Sequence, residues 1–348
     1  HVPIIFTHHT LYEEYTHYVP FDSPALKQFT IELSTHYANL CDAVIAPSES
    51  IAQLIRQRGV ETPIEIIPTG IDVAGFAGGN GKRFRQQNKI SANAFVVGHL
   101  GRLAPEKNLA FLSRAVVPFL KKNAKAIFLI VGSGSAEEEI RAIFKKEHLL
   151  KQLVMPGKKS GPDLFDAYAA MDVFVFSSFT ETQGMVLTEA MAAGLPVVAL
   201  DASGVREVVR EGKNGFLLTA HADENSFAAC LEKIKSNAEL KKQLKTGARQ
   251  TAQKFSQERS AEKALVFYEK IRLQTRPEHR EEKESAWIAL AKRIEVEWRL
   301  ISQKTKSAIN AVFADEPAKR NLESKNKPRK SPDSDLTLDF RSSTLDQP

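Results

Sequence analysis

Residues 173–200 read VFVFSSFTETQGMVLTEAMAAGLPVVAL, and this stretch decides the fold. Two apolar runs, Val173–Phe176 and Pro196–Leu200, enclose a segment whose apolar residues predict a helix over 184–193. Short runs without polar residues are typical of strands that are buried on both faces. A helix between two such strands predicts a parallel β–α–β unit with a right-handed crossover.

The same alternation of strand and helix continues on both sides of this unit. Further strands are predicted at 95–100, 126–131, 153–156 and 215–218, and further helices at 107–122, 136–147, 162–171, 224–236, 238–254 and 257–273. Alternation at this spacing indicates a parallel sheet with helices on both faces. Residues 82–258 therefore predict a complete doubly wound α/β domain.

Residues 1–74 predict part of a second domain. Strands at 2–6, 43–46 and 64–67 occur with few helices, which makes half of a doubly wound sheet. The chain starts at His1, directly before an apolar run, so we expect that the beginning of this domain is missing. The Gly-rich residues 75–81 predict a linker to the complete domain.

The residues after 258 predict helices and then a polar tail. We expect a helix at 259–279 that returns to the first domain, an amphipathic helical extension at 280–314 and a disordered tail at 315–348. The extension is basic and carries Trp287 and Trp298. Such a helix can lie on a membrane interface, although an apolar stripe of this kind more often packs on protein.

Composition narrows the class of protein. The 348 residues are 43% hydrophobic and 26% charged, which is ordinary for a soluble α/β protein. Cys41 and Cys230 are too few to stabilise a fold of this size and lack the paired spacing of a zinc site, so we expect two reduced thiols in a cytoplasmic protein. The net charge of +6 fits phosphorylated small molecules, anionic lipid or nucleic acid and does not choose among them.

Candidate binding residues follow the predicted strands, because ligands of open α/β sheets lie outside the carboxyl ends of the strands. Gly101 and Arg102 follow the strand at 95–100, and Lys107 stands at the start of the next helix. Two cations beside a helix N-terminus predict an anion site, such as a departing nucleoside diphosphate requires. From this segment alone, two exposed surface cations are the alternative.

Two carboxylates separated by seven residues mark the stretch that decides the fold. Glu181 lies in the loop before the helix and Glu189 lies within the helix, so they do not form an acid/base pair on one face. The spacing suits the two ends of one long ligand, and a buried carboxylate suits a diol such as the ribose hydroxyls. Packing of the helix on the sheet is the alternative for the apolar residues, but it does not account for Glu189.

In this order and spacing, the motifs resemble the retaining GT-B glycosyltransferases of family 4 over about residues 1–270. The strongest is Glu181-x7-Glu189 followed by AMAAGLPV at 190–197, and the next is GRLAPEKN at 101–108. The segments CDAVIAPS at 41–48, PTGID at 68–72 and VGSG at 131–134 also match. The resemblance implies two Rossmann-like domains, with residues 1–74 forming the end of an acceptor-binding domain and residues 75–258 binding the nucleotide sugar.

The resemblance also implies roles for individual residues. Arg102 and Lys107 would hold the donor diphosphate, Glu189 the ribose and Glu181 the transferred sugar. His9, in a His-Thr motif at a strand end, would face the sugar and the leaving group from across the cleft, with His8 as the alternative if the register shifts by one. The other residues expected to contact the donor are Gly101, Gly132, Gln183, Gly184, Met185 and Val186.

Two features depart from the family. The Gly-rich loop that lies near the diphosphate after the first strand has no counterpart here, so we expect it to belong to the missing segment. Ser133 stands between two glycines where the family usually has an acidic residue. This second difference concerns recognition of the base rather than the reaction.

The segment HTLYEEYTHY at 9–18 is similar to family members that glucosylate diacylglycerol. Tyr12 and Tyr18 would line a path for the acceptor, with a structural aromatic loop as the alternative. The function predicted is retaining transfer of a hexose from a UDP- or GDP-linked donor to a hydroxyl of a lipid or saccharide. Such an enzyme would be cytoplasmic, could contact an anionic membrane peripherally, and is not expected to bind nucleic acid.

No Asp-x-Asp pair stands at a predicted strand end, so we expect no metal and no other cofactor, with side-chain cations replacing Mg²⁺. Two other functions fit the same architecture. One is a non-hydrolysing nucleotide-sugar epimerase, and the other is a fragment that binds a nucleotide sugar without turnover.

Overall fold

Two parallel sheets organise the computed structural model, which describes residues 2–18, 23–179 and 181–274 together with positions 288 and 292. The predicted extension at 280–314, apart from those two positions, and the predicted tail at 315–348 lie outside the described residues. The domain boundaries given above stay predictions. Among the described residues, no helix combines the length and the apolarity that crossing a bilayer requires.

The smaller sheet is formed by the first part of the chain. Its strands are β1 (Ile5–Thr7), β2 (Ala43–Ala46) and β3 (Ile64–Ile66), all parallel in the order β1-β2-β3. The accompanying helices are α1 (Pro24–Leu40) and α2 (Glu49–Gln57). Ser48 begins α2 because its hydroxyl accepts a hydrogen bond from the Ile51 N–H at 3.3 Å.

The larger sheet has six described strands, which are β4 (Val96–Leu100), β5 (Ile127–Val131), β6 (Leu153–Val154), β7 (Val173–Phe176), β8 (Val197–Leu200) and β9 (Gly215–Leu218). All pairs are parallel, and the order is β6-β5-β4-β7-β8-β9. Counted from β4, this is the doubly wound order 3-2-1-4-5-6. The strand order reverses between β4 and β7, and a crevice for ligand is expected there.

Helices cover both faces of the larger sheet. They are α3 (Val73–Ala77), α4 (Gly81–Gln87), α5 (Leu109–Lys122), α6 (Glu137–Lys146), α7 (Pro162–Ala169), α8 (Met185–Ala192), α9 (Glu224–Ser236), α10 (Ala238–Ala252) and α11 (Gln257–Gln274). Alternate residues of β7 belong to different cores: Val173 and Val175 pack with α5, α6 and α9, whereas Phe174 and Phe176 pack with α3, α7 and α8. The predicted doubly wound α/β fold is confirmed.

The linker predicted at 75–81 is wrong, because this part of the chain forms α3 and the start of α4. Two of its glycines allow close packing instead. A Cβ on Gly79 would lie 2.2 Å from the Phe165 carbonyl oxygen, and one on Gly81 would lie 2.1 Å from that of Ala169. The Gly-rich composition therefore reflects a backbone that passes close to α7.

The last described helix packs on the smaller sheet. Phe267 and Ile271 of α11 are buried in one cluster with Ala43 and Ile45 of β2. Just before this helix, the Ile71 N–H donates to the Phe255 carbonyl at 2.9 Å.

Candidate donor-binding site

The candidate site lies where the strand order of the larger sheet reverses. Gly101 follows β4 directly, and the loop after β7 leads to Glu181 and then to α8. Because β4 and β7 are parallel neighbours, both loops leave the same edge of the sheet. Two adjoining cavities open at this edge.

The first cavity has a volume of about 530 Å³. Nine of its lining residues were predicted from the sequence to contact the donor or to act in catalysis, and Gly101 is one of them. The lining residues are His9, Thr69, His99, Leu100, Gly101, Arg102, Lys107, Phe176, Glu181, Thr182, Gln183, Gly184, Met185 and Val186. The structure therefore places the predicted residues His9, Arg102 and Lys107 around one cavity. Glu181 lines the same cavity.

The second cavity, of about 570 Å³, holds Glu189 and Gly132. It shares Leu100, Gly101, Arg102 and Val186 with the first cavity, so the two adjoin at the end of β4. Its lining residues are Leu100, Gly101, Arg102, Val131, Gly132, Ser133, Gly134, Lys158, Lys159, Leu164, Val186 and Glu189. Glu181 and Glu189 thus lie in different but adjoining cavities, with Arg102 in both.

Each predicted phosphate-binding cation is paired with a carboxylate. Nζ of Lys107 lies 2.5 Å from Oε1 of Glu181, and both side chains are largely shielded from solvent. Nη2 of Arg102 lies 2.7 Å from Oε1 of Glu106, and its guanidinium carbon lies 5.6 Å from the centre of the Tyr15 ring. An anion that binds here competes with these carboxylates for the cations.

The turn that carries Lys107 is fixed to the end of β7. The 3-10 turn Pro105–Lys107 ends at Asn108, which adopts a left-handed conformation with φ of 53° before α5 begins. The Ser177 hydroxyl lies 3.0 Å from the carbonyl oxygens of both Lys107 and Asn108 and shares its one hydrogen between them. The cation is therefore positioned by β7 as well as by β4.

Glu189 is held by a buried tyrosine. The Tyr168 hydroxyl lies 2.7 Å from Oε2 of Glu189, with α7 supplying the phenol and α8 the carboxylate. Burial raises the pKa of Glu189, and the hydrogen bond from Tyr168 lowers that pKa in part. Burial, and then the charge of Glu189, raise the pKa of Tyr168, so the phenol stays protonated and donates.

The side chain of Gln183 is used within the protein. The Thr69 N–H donates to Oε1 of Gln183 at 2.7 Å, and Nε2 of Gln183 donates to the Thr69 carbonyl at 2.8 Å. Beside it, the Thr182 hydroxyl donates to the His9 carbonyl at 2.9 Å, and the Ser48 hydroxyl donates to the Thr182 carbonyl at 2.6 Å. These bonds join loops of the smaller sheet to the loop that precedes α8.

The two adjacent histidines occupy different surroundings. His9 lines the first cavity, and partial burial lowers its pKa. His8 is 3% exposed and lines neither cavity described above, and desolvation by burial is the main cause that lowers its pKa to about 4. Of the two, the structure places His9 at the candidate site.

Tyr12 lies outside both cavities. Its side chain is 43% exposed, and its ring centre is 6.1 Å from that of His8. The side chain of Tyr18 lies outside the described residues. The acceptor path stays a prediction.

Sequence reasoning missed His99, Thr69 and Thr182, which line the first cavity. His99 is concealed in a strand that reads as apolar, although a polar residue inside such a run is itself a signal. Thr69 and Thr182 stand within matched motifs, but their contacts join positions more than one hundred residues apart. Sequence reasoning also missed Lys158 and Lys159, which line the second cavity.

Two family models match this chain. The model described as Glycosyl transferases group 1 matches residues 80–251, and the one described as Glycosyltransferase Family 4 matches residues 1–74. The chain belongs to the GT-B glycosyltransferases of family 4. Both matched regions contribute residues to the first cavity of this glycosyltransferase, since His9 and Thr69 come from one and Arg102, Lys107 and Glu181 from the other.

Similar proteins include enzymes that make glycolipids. The alpha-monoglucosyldiacylglycerol synthase of Acholeplasma laidlawii is 26% identical over 277 residues, which cover 77% of this chain and 69% of that enzyme. The enzyme of the same name from Streptococcus pneumoniae is 28% identical, covering 57% of this chain and 46% of its own. The matches thus span from about half to about two thirds of these relatives.

Other similar proteins differ in the nucleotide that they are named for or were crystallised with. The GDP-mannose-dependent alpha-mannosyltransferase of Mycobacterium tuberculosis is 32% identical, over 53% of this chain and 45% of that enzyme. The crystal structure of HepE from Anabaena in complex with UDP and glucose is 25% identical, covers 77% of this chain and 72% of that one, and has a TM-score of 0.67.

Proposed function

We propose that this glycosyltransferase moves a hexose from a UDP- or GDP-linked donor to a hydroxyl of a membrane glycerolipid, with retention of configuration. The observation that carries the proposal is the junction of the two cavities at Arg102. One cavity has a carboxylate, Glu181, beside the cation Lys107, and the other has a carboxylate, Glu189, beside the glycines of residues 132–134. A nucleotide sugar has the matching order of sugar, diphosphate and ribose.

In the proposed mechanism, Arg102 and Lys107 bind the diphosphate and stabilise the negative charge that forms as the C1–O bond of the sugar breaks. The acceptor hydroxyl attacks C1 from the face that the diphosphate leaves. The new C1–O bond then has the configuration of the old one, and the hydroxyl proton passes to a diphosphate oxygen. No group of the protein forms a covalent bond with the sugar.

The pair formed by Lys107 and Glu181 suits the two sides of the bond that breaks. Its ammonium group would face the leaving diphosphate, on which negative charge develops. Its carboxylate would face the sugar, on which positive charge develops, and would accept hydrogen bonds from sugar hydroxyls. Binding of the donor would replace part of the ion pair with these contacts.

The same two cations support the proposal that the transfer needs no divalent metal. Arg102 and Lys107 provide fixed positive charge where Mg²⁺ would otherwise neutralise a diphosphate. We expect turnover to persist in EDTA after metal removal. Loss of turnover that is restored by Mg²⁺ or Mn²⁺ would contradict this part of the proposal.

The glycerolipid acceptor is supported by the two diacylglycerol glucosylating relatives and by the aromatic segment at 9–18. An enzyme that uses such an acceptor must meet the surface of a bilayer, and a net charge of +6 favours a surface that contains anionic lipid. We propose peripheral contact of this kind. Transfer to diacylglycerol should therefore rise with the anionic fraction of the vesicles and fall with added salt.

A thermal-shift panel of UDP, GDP, ADP and their common sugars tests the donor. A ligand that binds the native state raises the melting temperature, so one nucleotide series should stabilise the wild type. The variants Glu189→Ala and Lys107→Ala should lose that stabilisation. Transfer is then measured with the selected nucleotide sugar and diacylglycerol in vesicles. Absence of stabilisation by every nucleotide, or conversion of the donor without consumption of acceptor, would contradict the proposal.

A further inference from the structure

His99 is a buried titratable residue that the proposed mechanism does not use. It lies near the carboxyl end of β4, is 1% exposed and lines the first cavity. Its ring stacks near those of Phe174 and Phe176, with centres 6.0 and 6.2 Å away. The ring orientation is thus fixed by packing.

The hydrogen bond made by one ring nitrogen decides what the other can do. Nδ1 of His99 lies 3.0 Å from the Val175 carbonyl oxygen, which can only accept, so Nδ1 carries the hydrogen. In a neutral ring, Nε2 is then an acceptor with a free lone pair. Burial, as the largest cause, lowers the pKa of His99 to about 4, and the charge of Lys107 lowers it as well, so the ring is neutral at physiological pH.

Nε2 has no hydrogen-bond partner in the part of the chain that the structure describes, although it is buried. It faces the end of β4, because a Cβ placed on Gly101 would lie 3.7 Å from it. Gly101 belongs to both cavities, and Lys107 lines the first. A buried acceptor without a partner therefore lies next to a glycine that lines both cavities, close to the predicted phosphate-binding cations.

The chemistry of the donor restricts the partner of Nε2. Phosphate oxygens only accept hydrogen bonds, so a neutral Nε2 cannot bind them, whereas a sugar hydroxyl can donate. The ammonium group of Lys107 pairs with Glu181 without ligand and would turn to the diphosphate when the donor binds. We propose that His99 determines donor specificity by accepting, at Nε2, a hydrogen bond from one hydroxyl of the transferred sugar. This inference rests on the proposed function, because it requires a nucleotide sugar in the first cavity.

The consequence is discrimination at a single position of the sugar. A donor that lacks the hydroxyl in question would leave Nε2 buried and unpaired, which is costly. Sites built to bind a hydroxyl reject analogues that lack it much more strongly than apolar sites do. We expect the wild type to lose kcat/KM by on the order of 10- to 100-fold for one deoxy sugar, and by much less for the others.

Two variants separate the two nitrogens of the ring. In His99→Asn, the side-chain amide can still donate to the Val175 carbonyl, but no atom occupies the place of Nε2. In His99→Gln, the longer side chain can place an amide oxygen near that position. Melting temperatures of both variants, with and without UDP, show whether they fold and bind nucleotide.

The donors are UDP-glucose and its 2-, 3-, 4- and 6-deoxy analogues, or the same series of GDP-mannose if the wild type selects GDP. For the deoxy sugar that the wild type rejects, His99→Asn should lose much less kcat/KM relative to the parent sugar than the wild type does. For the other analogues, the ratios should match those of the wild type. His99→Gln should keep part of the discrimination. Equal loss with all donors, or unchanged discrimination, would overturn the inference while leaving the proposed function intact. Failure of the wild type to bind any nucleotide sugar would refute both.

A measurement on the wild type covers the case in which the variants do not fold. The ¹⁵N resonance of Nε2 reports whether an unprotonated ring nitrogen accepts a hydrogen bond. We expect it to shift when the nucleotide sugar binds and to stay unchanged with the nucleoside diphosphate alone. The same shift with both ligands, or a protonated Nε2, would assign His99 to the diphosphate and reject the sugar contact.

Discussion

The hydroxyl of Tyr168 lies 2.7 Å from Oε2 of Glu189, and the ring that carries it is fixed between Phe76 and Phe174, with centres 5.4 and 5.7 Å away. The phenol has one hydrogen to donate, and the carboxylate at 2.7 Å is a better acceptor for it than the Val186 carbonyl at 3.5 Å. Glu189, which lines the second cavity, therefore has one carboxylate oxygen held by Tyr168. Tyr168 is thus a positioning residue for the predicted ribose contact.

Tyr168→Phe tests this positioning. The variant keeps the ring but removes a hydrogen bond to a charged group, which is worth roughly 1.5–3 kcal/mol, so the affinity for UDP should fall by about tenfold or more. Binding of 2′-deoxy-UDP or 3′-deoxy-UDP should fall less, because it depends less on Glu189. Calorimetric titration of the wild type and the variant with all three ligands measures the difference. Parallel losses for UDP and its deoxy forms would show a general packing defect and contradict the prediction.

Glu189→Gln should stabilise the protein while impairing nucleotide binding. Burial raises the pKa of Glu189 above that of an unfolded glutamate, so the native state binds the proton more tightly. Stability from this group is full below the unfolded pKa and is lost as pH rises through the folded pKa. The variant should therefore melt higher than the wild type at pH 7, and the gain should vanish near pH 4. Melting curves from pH 4 to pH 8 give the test, and a gain that grows toward low pH would be the wrong sign.

Glu181→Gln should separate binding of the nucleotide from transfer of the sugar. Without its carboxylate, Lys107 no longer has to leave an ion pair to contact the diphosphate, so UDP should bind as tightly as to the wild type, or more tightly. Transfer should fall by about 100-fold, since the charge beside the reacting sugar is lost. Lys107→Ala is the matched variant and should weaken UDP binding itself. Weaker UDP binding by Glu181→Gln would contradict the proposed competition.

The sequence predicted the strands and helices of the larger sheet well, because apolar strands and amphipathic helices are local patterns. The two parts of the site that follow β4 and β7 could also be predicted, since parallel strands bring their carboxyl ends together. Contacts set by packing could not be read in this way. The role of the His99 side chain depends on the position of the Val175 carbonyl, which is distant in the sequence. The role of Gln183 depends in the same way on the position of Thr69.

Packing contacts also explain why the glycines at 75–81 were misinterpreted. Their composition predicts a flexible linker, whereas Gly79 and Gly81 lie against the backbone of α7 in the structure. Gly79→Ala should destabilise the protein by about 1–3 kcal/mol, since its Cβ would lie 2.2 Å from the Phe165 carbonyl oxygen. Gly78→Ala is the matched control, because its nearest contact would be 3.3 Å, to the Ala74 carbonyl oxygen. Urea unfolding measures both. Equal and small effects would restore the linker interpretation.

The Gln183 amide holds the loop that precedes α8, and we expect this contact to be required for full turnover. Its two hydrogen bonds to Thr69 tie the residues before α8 to the smaller sheet, and each is worth about 1 kcal/mol. Gln183→Ala removes both bonds. Gln183→Glu keeps an acceptor for the Thr69 N–H but places a carboxylate against the Thr69 carbonyl.

Both variants should lower kcat by about tenfold, because Glu181 and Met185 lie within two residues of Gln183 and depend on the same loop for their positions. UDP affinity should change little, because the residues expected to bind the nucleotide are held by other contacts. Ser177 donates to the Lys107 carbonyl, and Tyr168 donates to the Glu189 carboxylate. Steady-state kinetics and UDP titration on the same samples separate these effects. A large loss of UDP affinity with unchanged kcat would instead assign the Gln183 side chain a direct contact with the donor.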